Sequence, residues 1–133
     1  MQDLIWINGE IVTMGEARIS PEDRGYQFAD GVYEVIRLYG GRPFTLEEHL
    51  ARLEKSAGGI QIAVPLSRAE LKGEIGKLIA QSGVGEGMIY LQLTRGVAPR
   101  NHVFTAKAGT TLLFYARALP VLPLCTHATK SKL

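Results

Sequence analysis

The chain has 133 residues, 46% of them apolar, and its 15 basic and 13 acidic side chains leave a formal charge of +2. That size and composition suit one domain with a packed core, and the charges lack the clustered basic run of a nucleic-acid or membrane surface. A single cysteine, Cys125, rules out an internal disulfide; no apolar run approaches the roughly 18 residues of a membrane span, and the start lacks the order of a signal peptide, so a reducing, cytoplasmic setting is expected.

Ile5-Trp6-Ile7 and Ile11-Val12 flank Asn8-Gly9, a pair suited to a tight turn, so the chain opens with a β-hairpin. A polar loop containing Pro21 leads through a small-residue corner to a strand from Gly31 to Tyr39. Strand periodicity puts Val32, Glu34, Ile36 and Leu38 on one face and Tyr33, Val35, Arg37 and Tyr39 on the other. The second face, with two phenols and a guanidinium, reads either as a polar pocket or as a wet sheet surface. Gly40-Gly41 ends the strand.

Thr45 and Glu48 form the pattern of a capping box, predicting a helix from Leu46 to about Ala57 that buries Leu46, Leu50, Leu53 and Ala57 and stops at Gly58-Gly59. Arg52 falls off that stripe. Ile60–Val64 reads as a short strand or extended piece. Ser67 and Glu70 repeat the capping pattern before a second helix whose inner side is Leu71, Ile75, Leu78, Ile79 and Ser82. Met88 to Thr94 and Thr110 to Ala116 follow as strands, joined by a long connection from Gly96 to Gly109 that carries Arg100 and His102; long loops in compact domains are more often functional than idle. Beyond Ala118 the Pro-interrupted segment and the unpatterned end read as a linker and an unstructured tail. The sum is an α+β fold, an antiparallel sheet with two helices on one side.

One cysteine and histidines at 49, 102 and 127 provide no zinc spacing, and no G-x-S-x-G, Walker or G-x-G-x-x-G motif occurs. What remains is a set of anion-binding groups, Arg52, Arg100, His102 and Tyr33. Taken singly, each is better read as a surface arginine or a capping histidine. Their combination with the corner sequence points to a site.

DRGYQFADGVYEVIRLY, then EEHLARLEKSA, then TRGVAPRNH, resembles the class IV aminotransferases that use pyridoxal phosphate, over about Leu4 to Ala116. The helix block alone is shared with branched-chain aminotransferases and aminodeoxychorismate lyases; Arg95-Gly96 with Pro99-Arg100-Asn101-His102 is the block that resembles the D-amino acid (D-alanine) aminotransferases. The resemblance implies the fold of that family's small N-terminal domain, and a homodimer in which Tyr33, with Arg100 and His102 from the neighbouring subunit, binds the substrate carboxylate. It further implies that Arg52 holds the phosphate of pyridoxal 5′-phosphate, that Val35 and Tyr90 line the pocket, and that the substrates are D-amino acids and 2-oxo acids.

In that family a second domain follows the linker and brings the Schiff-base lysine. Lys107, Lys130 and Lys132 lie in no comparable context, so no catalytic residue is assigned. Residues 1–118 are therefore expected to be the small domain and 119–133 the start of a linker and a tail. The chain is expected to be inactive alone, or to act as a noncatalytic assembly domain. Ser131-Lys132-Leu133 matches a peroxisomal address, the alternative to the cytoplasm.

Overall fold

A computed structural model describes residues 3–103 and 109–120 of the protein. Asn8 and Gly9, at φ of 47° and 100°, turn β1 (Leu4–Ile7) into β2 (Glu10–Thr13). After the loop come a short helix α1 (Arg24–Phe28), β3 (Gly31–Tyr39), the two-residue β4 (Arg42–Pro43), helices α2 (Leu46–Gly59) and α3 (Arg68–Ser82), and strands β5 (Gly87–Thr94) and β6 (Thr111–Ala118). The strands make one antiparallel sheet of order β2-β1-β6-β5-β3-β4. β4 pairs only with Leu38 and Tyr39. Among the described residues, β3 therefore presents its outer backbone edge from Gly31 to Ile36 unpaired.

The core lies on one side of the sheet. Ile36 and Leu38, Ile89, Leu91 and Leu93, and Leu112, Phe114 and Ala116 meet Leu50, Leu53 and Ala57 of α2 and Leu71, Ile75 and Leu78 of α3. Trp6 stacks on Phe114 with ring centroids 4.7 Å apart. The alternation expected of β3 is observed: Glu34, Ile36 and Leu38 are buried while Tyr33, Val35 and Tyr39 are exposed. All five residues expected on the inner side of α3 are buried, and Ser67 and Glu70 close its capping box.

Several expectations are corrected. Thr45 does not cap α2: at φ 52° its hydroxyl turns back to donate to the Phe44 carbonyl, and the first-turn amides receive nothing from it. A capping box needs extended backbone at that residue, which a left-handed Thr45 lacks. Gly58 and Gly59 do not stop α2, which runs through both; the turn comes later, where Gln61 adopts φ 61°. There Gln61 N–H donates to the Gly58 carbonyl and Ile62 N–H to the Ala57 carbonyl, the paired bonds of a Schellman ending. With those amides committed, Ile60–Val64 forms no strand, although Ile62 and Ala57 are both in the core.

The small-residue corner is a helical turn, α1, and is a third helix beyond the two expected; it ends because Ala29 is left-handed at φ 54°. The last strand is displaced, running from Thr111 to Ala118 rather than from Thr110 to Ala116. Leu119 and Pro120 follow it without regular structure, Leu119 N–H donating to the Glu86 carbonyl at 3.0 Å. The rest of the expected linker and tail, with Ser131-Lys132-Leu133 and the three lysines of the later sequence, lies outside the described residues.

Candidate functional site

The predicted site residues fall into three groups around β3. The first is beneath the strand, on the helix side. Glu34 points into the core face, only 4% exposed, and a carboxylate there requires partners. α2 supplies them one turn apart. Arg52 donates from Nε to Oε2 and from Nη2 to Oε1, both at 2.8 Å, and His49 Nδ1 lies 2.7 Å from Oε1. An ionised carboxylate only accepts, so this contact places the His49 proton on Nδ1. Burial pushes the Glu34 carboxyl up, but the hydrogen bonds and charges of Arg52 and His49 outweigh it and hold the pKa below the ordinary value. The Arg52 side chain is 65% exposed, and it lines a shallow polar pocket with Thr45, Glu48 and His49.

The second group is on the open face. Tyr33 and Tyr90 stack at 5.9 Å between centroids, Tyr115 continues the row 5.5 Å from Tyr90, and Val35 pairs across the strands with Tyr90. Burial, with Tyr115 and Tyr33 adding to it, pushes the Tyr90 phenol up, and its hydroxyl reaches the Gln92 side chain at 3.2 Å. Arg37, two residues beyond Val35 on the same face, stands over the Tyr39 ring at 5.1 Å. The charged and phenolic face read from strand parity is therefore present as an open surface.

The third group is at the corner. Arg100 and His102 both meet Phe28 of α1: the Arg100 guanidinium carbon is 5.3 Å from the ring centre, and the His102 ring is edge-on at 5.5 Å. Arg24, 4% exposed, donates to Asp30 and to the Asn101 carbonyl, and Arg95, equally buried, donates to the same Asp30 oxygen and to the Ile60 carbonyl. Burial raises the Asp30 carboxyl, and the two guanidinium groups overcome that and hold it below its ordinary value.

Arg100 and His102 are thus brought together, as are Tyr33, Val35 and Tyr90. No hydrogen bond or ring contact among the described residues joins either set to the other or to Arg52. Tyr33 and Arg52 stand on opposite faces because Tyr33 and Glu34 are consecutive in a strand. Between them runs the unpaired edge of β3. Sequence reasoning missed Glu34 and His49 as partners of Arg52. The signal was available: a glutamate at an apolar-face position of a strand, and a histidine and an arginine three apart on the following helix.

The profile of the family described as amino-transferase class IV matches residues 31–130. The D-alanine aminotransferase of Bacillus licheniformis is 47% identical over 117 residues, which cover 88% of this chain and 41% of that protein. The D-alanine aminotransferase of Listeria monocytogenes serotype 4b (strain F2365) is 49% identical over 100 residues, 74% of this chain and 35% of that protein. The chain thus spans about two fifths of the length of these relatives. Among solved structures, 4-amino-4-deoxychorismate lyase from Pseudomonas aeruginosa superposes with a TM-score of 0.76 at 31% identity, over 96% of this chain and 44% of that one. The branched-chain amino acid aminotransferase of Escherichia coli superposes with a TM-score of 0.84 over 95% of this chain and 43% of that one; at 24% identity this likeness is one of fold. The same holds for a second branched-chain amino acid aminotransferase, solved with pyridoxamine 5′-phosphate, with a TM-score of 0.84 at 24% identity over 92% of this chain and 41% of that one.

Proposed function

This chain belongs to the class IV aminotransferase family, and from that membership we propose that it serves a D-amino acid aminotransferase. The reaction moves an amino group between a D-amino acid such as D-alanine and a 2-oxo acid such as 2-oxoglutarate, in a homodimer. The observation that carries this reading is the free edge of β3 with Arg52 on one side and Tyr33 on the other. A molecule lying along that edge meets a guanidinium from below and a phenol from above.

The donor set fits pyridoxal 5′-phosphate at one end. Arg52 is held by Glu34 through one edge of its fork, and the remaining N–H groups are exposed beside a polar pocket, the arrangement a phosphate oxygen needs. Bound there, the cofactor supplies the electron sink that lets the α-hydrogen leave as a proton. The Tyr33 hydroxyl donates a hydrogen bond to one carboxylate oxygen of the substrate. Arg100 and His102, which do not meet Tyr33 within one chain, reach the site of a second copy and hold the same carboxylate. Val35 and Tyr90 fill the space beside Tyr33, so the carboxylate orientation decides which enantiomer presents its α-hydrogen to a base.

The lysine that bonds to the cofactor is assigned to no described residue. Lys72 and Lys77 are ion-paired with Glu47 and Glu74, and Lys55 lies on the exposed surface of α2. The second reading is a domain that folds and pairs without turnover. A transamination assay of the purified 133-residue chain with D- and L-alanine, 2-oxoglutarate and added cofactor separates the two. Turnover of D-alanine supports the first reading, and preference for L-alanine removes its stereochemistry; without turnover, saturable binding of pyridoxal 5′-phosphate that Arg52→Ala abolishes supports the first reading, and no such binding favours the second.

A further inference from the structure

We propose that Arg24 and Phe28, on the short helix before β3, are positioning residues that set the geometry of Arg100 and His102, and through them the carboxylate affinity of the site. The inference rests on the function proposed above, which gives Arg100 and His102 their role but assigns none to α1. Its basis is a chain of contacts across residues far apart in sequence. Arg24 and Phe28 are four apart, so they lie on one side of a helical turn, and the Arg24 guanidinium carbon sits 4.6 Å from the Phe28 ring centre. From that side Arg24 Nη1 donates to the carbonyl of Asn101, the residue between Arg100 and His102, at 2.5 Å. The Phe28 ring takes the other two: Arg100 at 5.3 Å and His102 at 5.5 Å. Three consecutive loop residues are thereby gripped by two helix residues, one through its backbone and two through their side chains.

The helix is itself fixed from behind. Asp23 accepts from Gly25 N–H at 2.8 Å and from the Thr94 hydroxyl at 2.7 Å. Arg24 N–H donates to the Gly96 carbonyl at 2.8 Å. Asp30 accepts from Arg24 at 2.9 Å and from Arg95 at 2.8 Å, so the Arg24 fork cannot swing without breaking a buried, charge-assisted bond. The loop is also pinched at its mouth, where Gly96, at φ 97°, passes so close to Gly109 that a Cβ would sit 1.6 Å from its carbonyl oxygen. Residues 100–102 take their direction from these contacts.

A lysine at position 24 keeps the charge but lacks the planar fork that spans Asp30 and Asn101 together. Leucine at position 28 keeps the apolar volume and loses the ring face on which Arg100 rests. The test reads the loop and the substrate separately. Amide hydrogen exchange at Val103, whose N–H donates to Asn101 Oδ1 at 3.1 Å, and the His102 imidazole shifts are measured for the parent chain, Arg24→Lys, Phe28→Leu and Phe28→Tyr, with urea midpoints to verify folding. The dissociation constant for D-lactate, a carboxylate with no amino group to react, is measured in parallel by calorimetry, beside Arg100→Ala.

Arg24→Lys and Phe28→Leu are expected to speed exchange at the Val103 amide by about tenfold or more, to shift the His102 imidazole signals, and to raise the dissociation constant severalfold. Phe28→Tyr, which keeps the ring, is expected to stay close to the parent in all three. Unchanged exchange and an unchanged dissociation constant in folded Arg24→Lys and Phe28→Leu would overturn the proposal. If Arg100→Ala leaves the dissociation constant unchanged while the exchange results come out as expected, the carboxylate role of the loop fails; α1 then positions the loop but not substrate affinity, and the proposal falls in that part.

Discussion

Arg52 and Glu34 meet through two parallel hydrogen bonds of 2.8 Å, across the boundary between a solvent-facing helix surface and the buried face of β3. The exposed partner is thereby oriented by the buried one. Glu34→Gln removes the charge and replaces one of the two oxygens that fix the Arg52 fork with an amide donor, and it should weaken binding of pyridoxal 5′-phosphate by about tenfold, the loss of one charge-assisted hydrogen bond's ordering. Arg52→Ala should weaken it at least as much. Absorbance titration with the cofactor measures both; equal affinity for the parent chain and Arg52→Ala would remove Arg52 from the phosphate role.

Acid should destabilise the fold through the same carboxylate and its counterpart at the corner. For both, burial acts to raise the pKa, and the guanidinium partners, with His49 for Glu34, reverse it. Glu34 and Asp30 are thus held below their ordinary values of 4.5 and 3.8. Below those ordinary values the unfolded chain takes up protons that the folded chain still refuses, so protonation favours unfolding. The stabilisation is complete above the ordinary values and is lost as pH falls through the lower, folded ones. Urea midpoints should be flat from pH 7 to about 5 and then fall steeply towards pH 3; Asp30→Asn, already without its charge, should start lower and fall less.

Glycines in this chain divide by what surrounds them. Gly73 and Gly76 lie inside α3, with open space where a Cβ would stand, so Gly73→Ala and Gly76→Ala should each stabilise by about 0.5–1 kcal/mol through reduced unfolded-state entropy. Gly96→Ala meets a positive φ and the Gly109 carbonyl together, and should cost about 1–3 kcal/mol or more from backbone strain. Thermal melts of the three variants check the sign in each case.

What could be read from sequence was what local period and spacing encode. The division of Tyr33, Val35 and Arg37 from Glu34, Ile36 and Leu38 follows from the strand alone, and the inner side of α3 from its helical repeat. Thr45 and Ser67 carried the same capping pattern, yet only Ser67 has the extended backbone that capping needs, at φ −64° and ψ 160°. The backbone angle at Thr45 is set by the turn from β4, which the motif does not contain. Gln61 and Ala29 terminate helices in a left-handed conformation that neither residue type announces. The site was legible as a list of groups but not as an arrangement. Arg24 and Asn101 lie 77 positions apart, and only tertiary packing brings the corner against the loop.

The central claim is that one carboxylate site is built from Tyr33 of one subunit and Arg100 and His102 of another. It is tested most directly by mixing Tyr33→Phe and Arg100→Ala chains, unfolding and refolding them together, and counting by calorimetry the sites that bind D-lactate, a carboxylate with no amino group to react. In a symmetric dimer, random mixing makes half of the dimers mixed, and each mixed dimer holds one site with both groups intact, so about a quarter of the parental sites should return. If the mixture binds as little as the two separate variants while the parent survives the same refolding, Tyr33 and Arg100 do not meet across subunits and the account of the site is wrong.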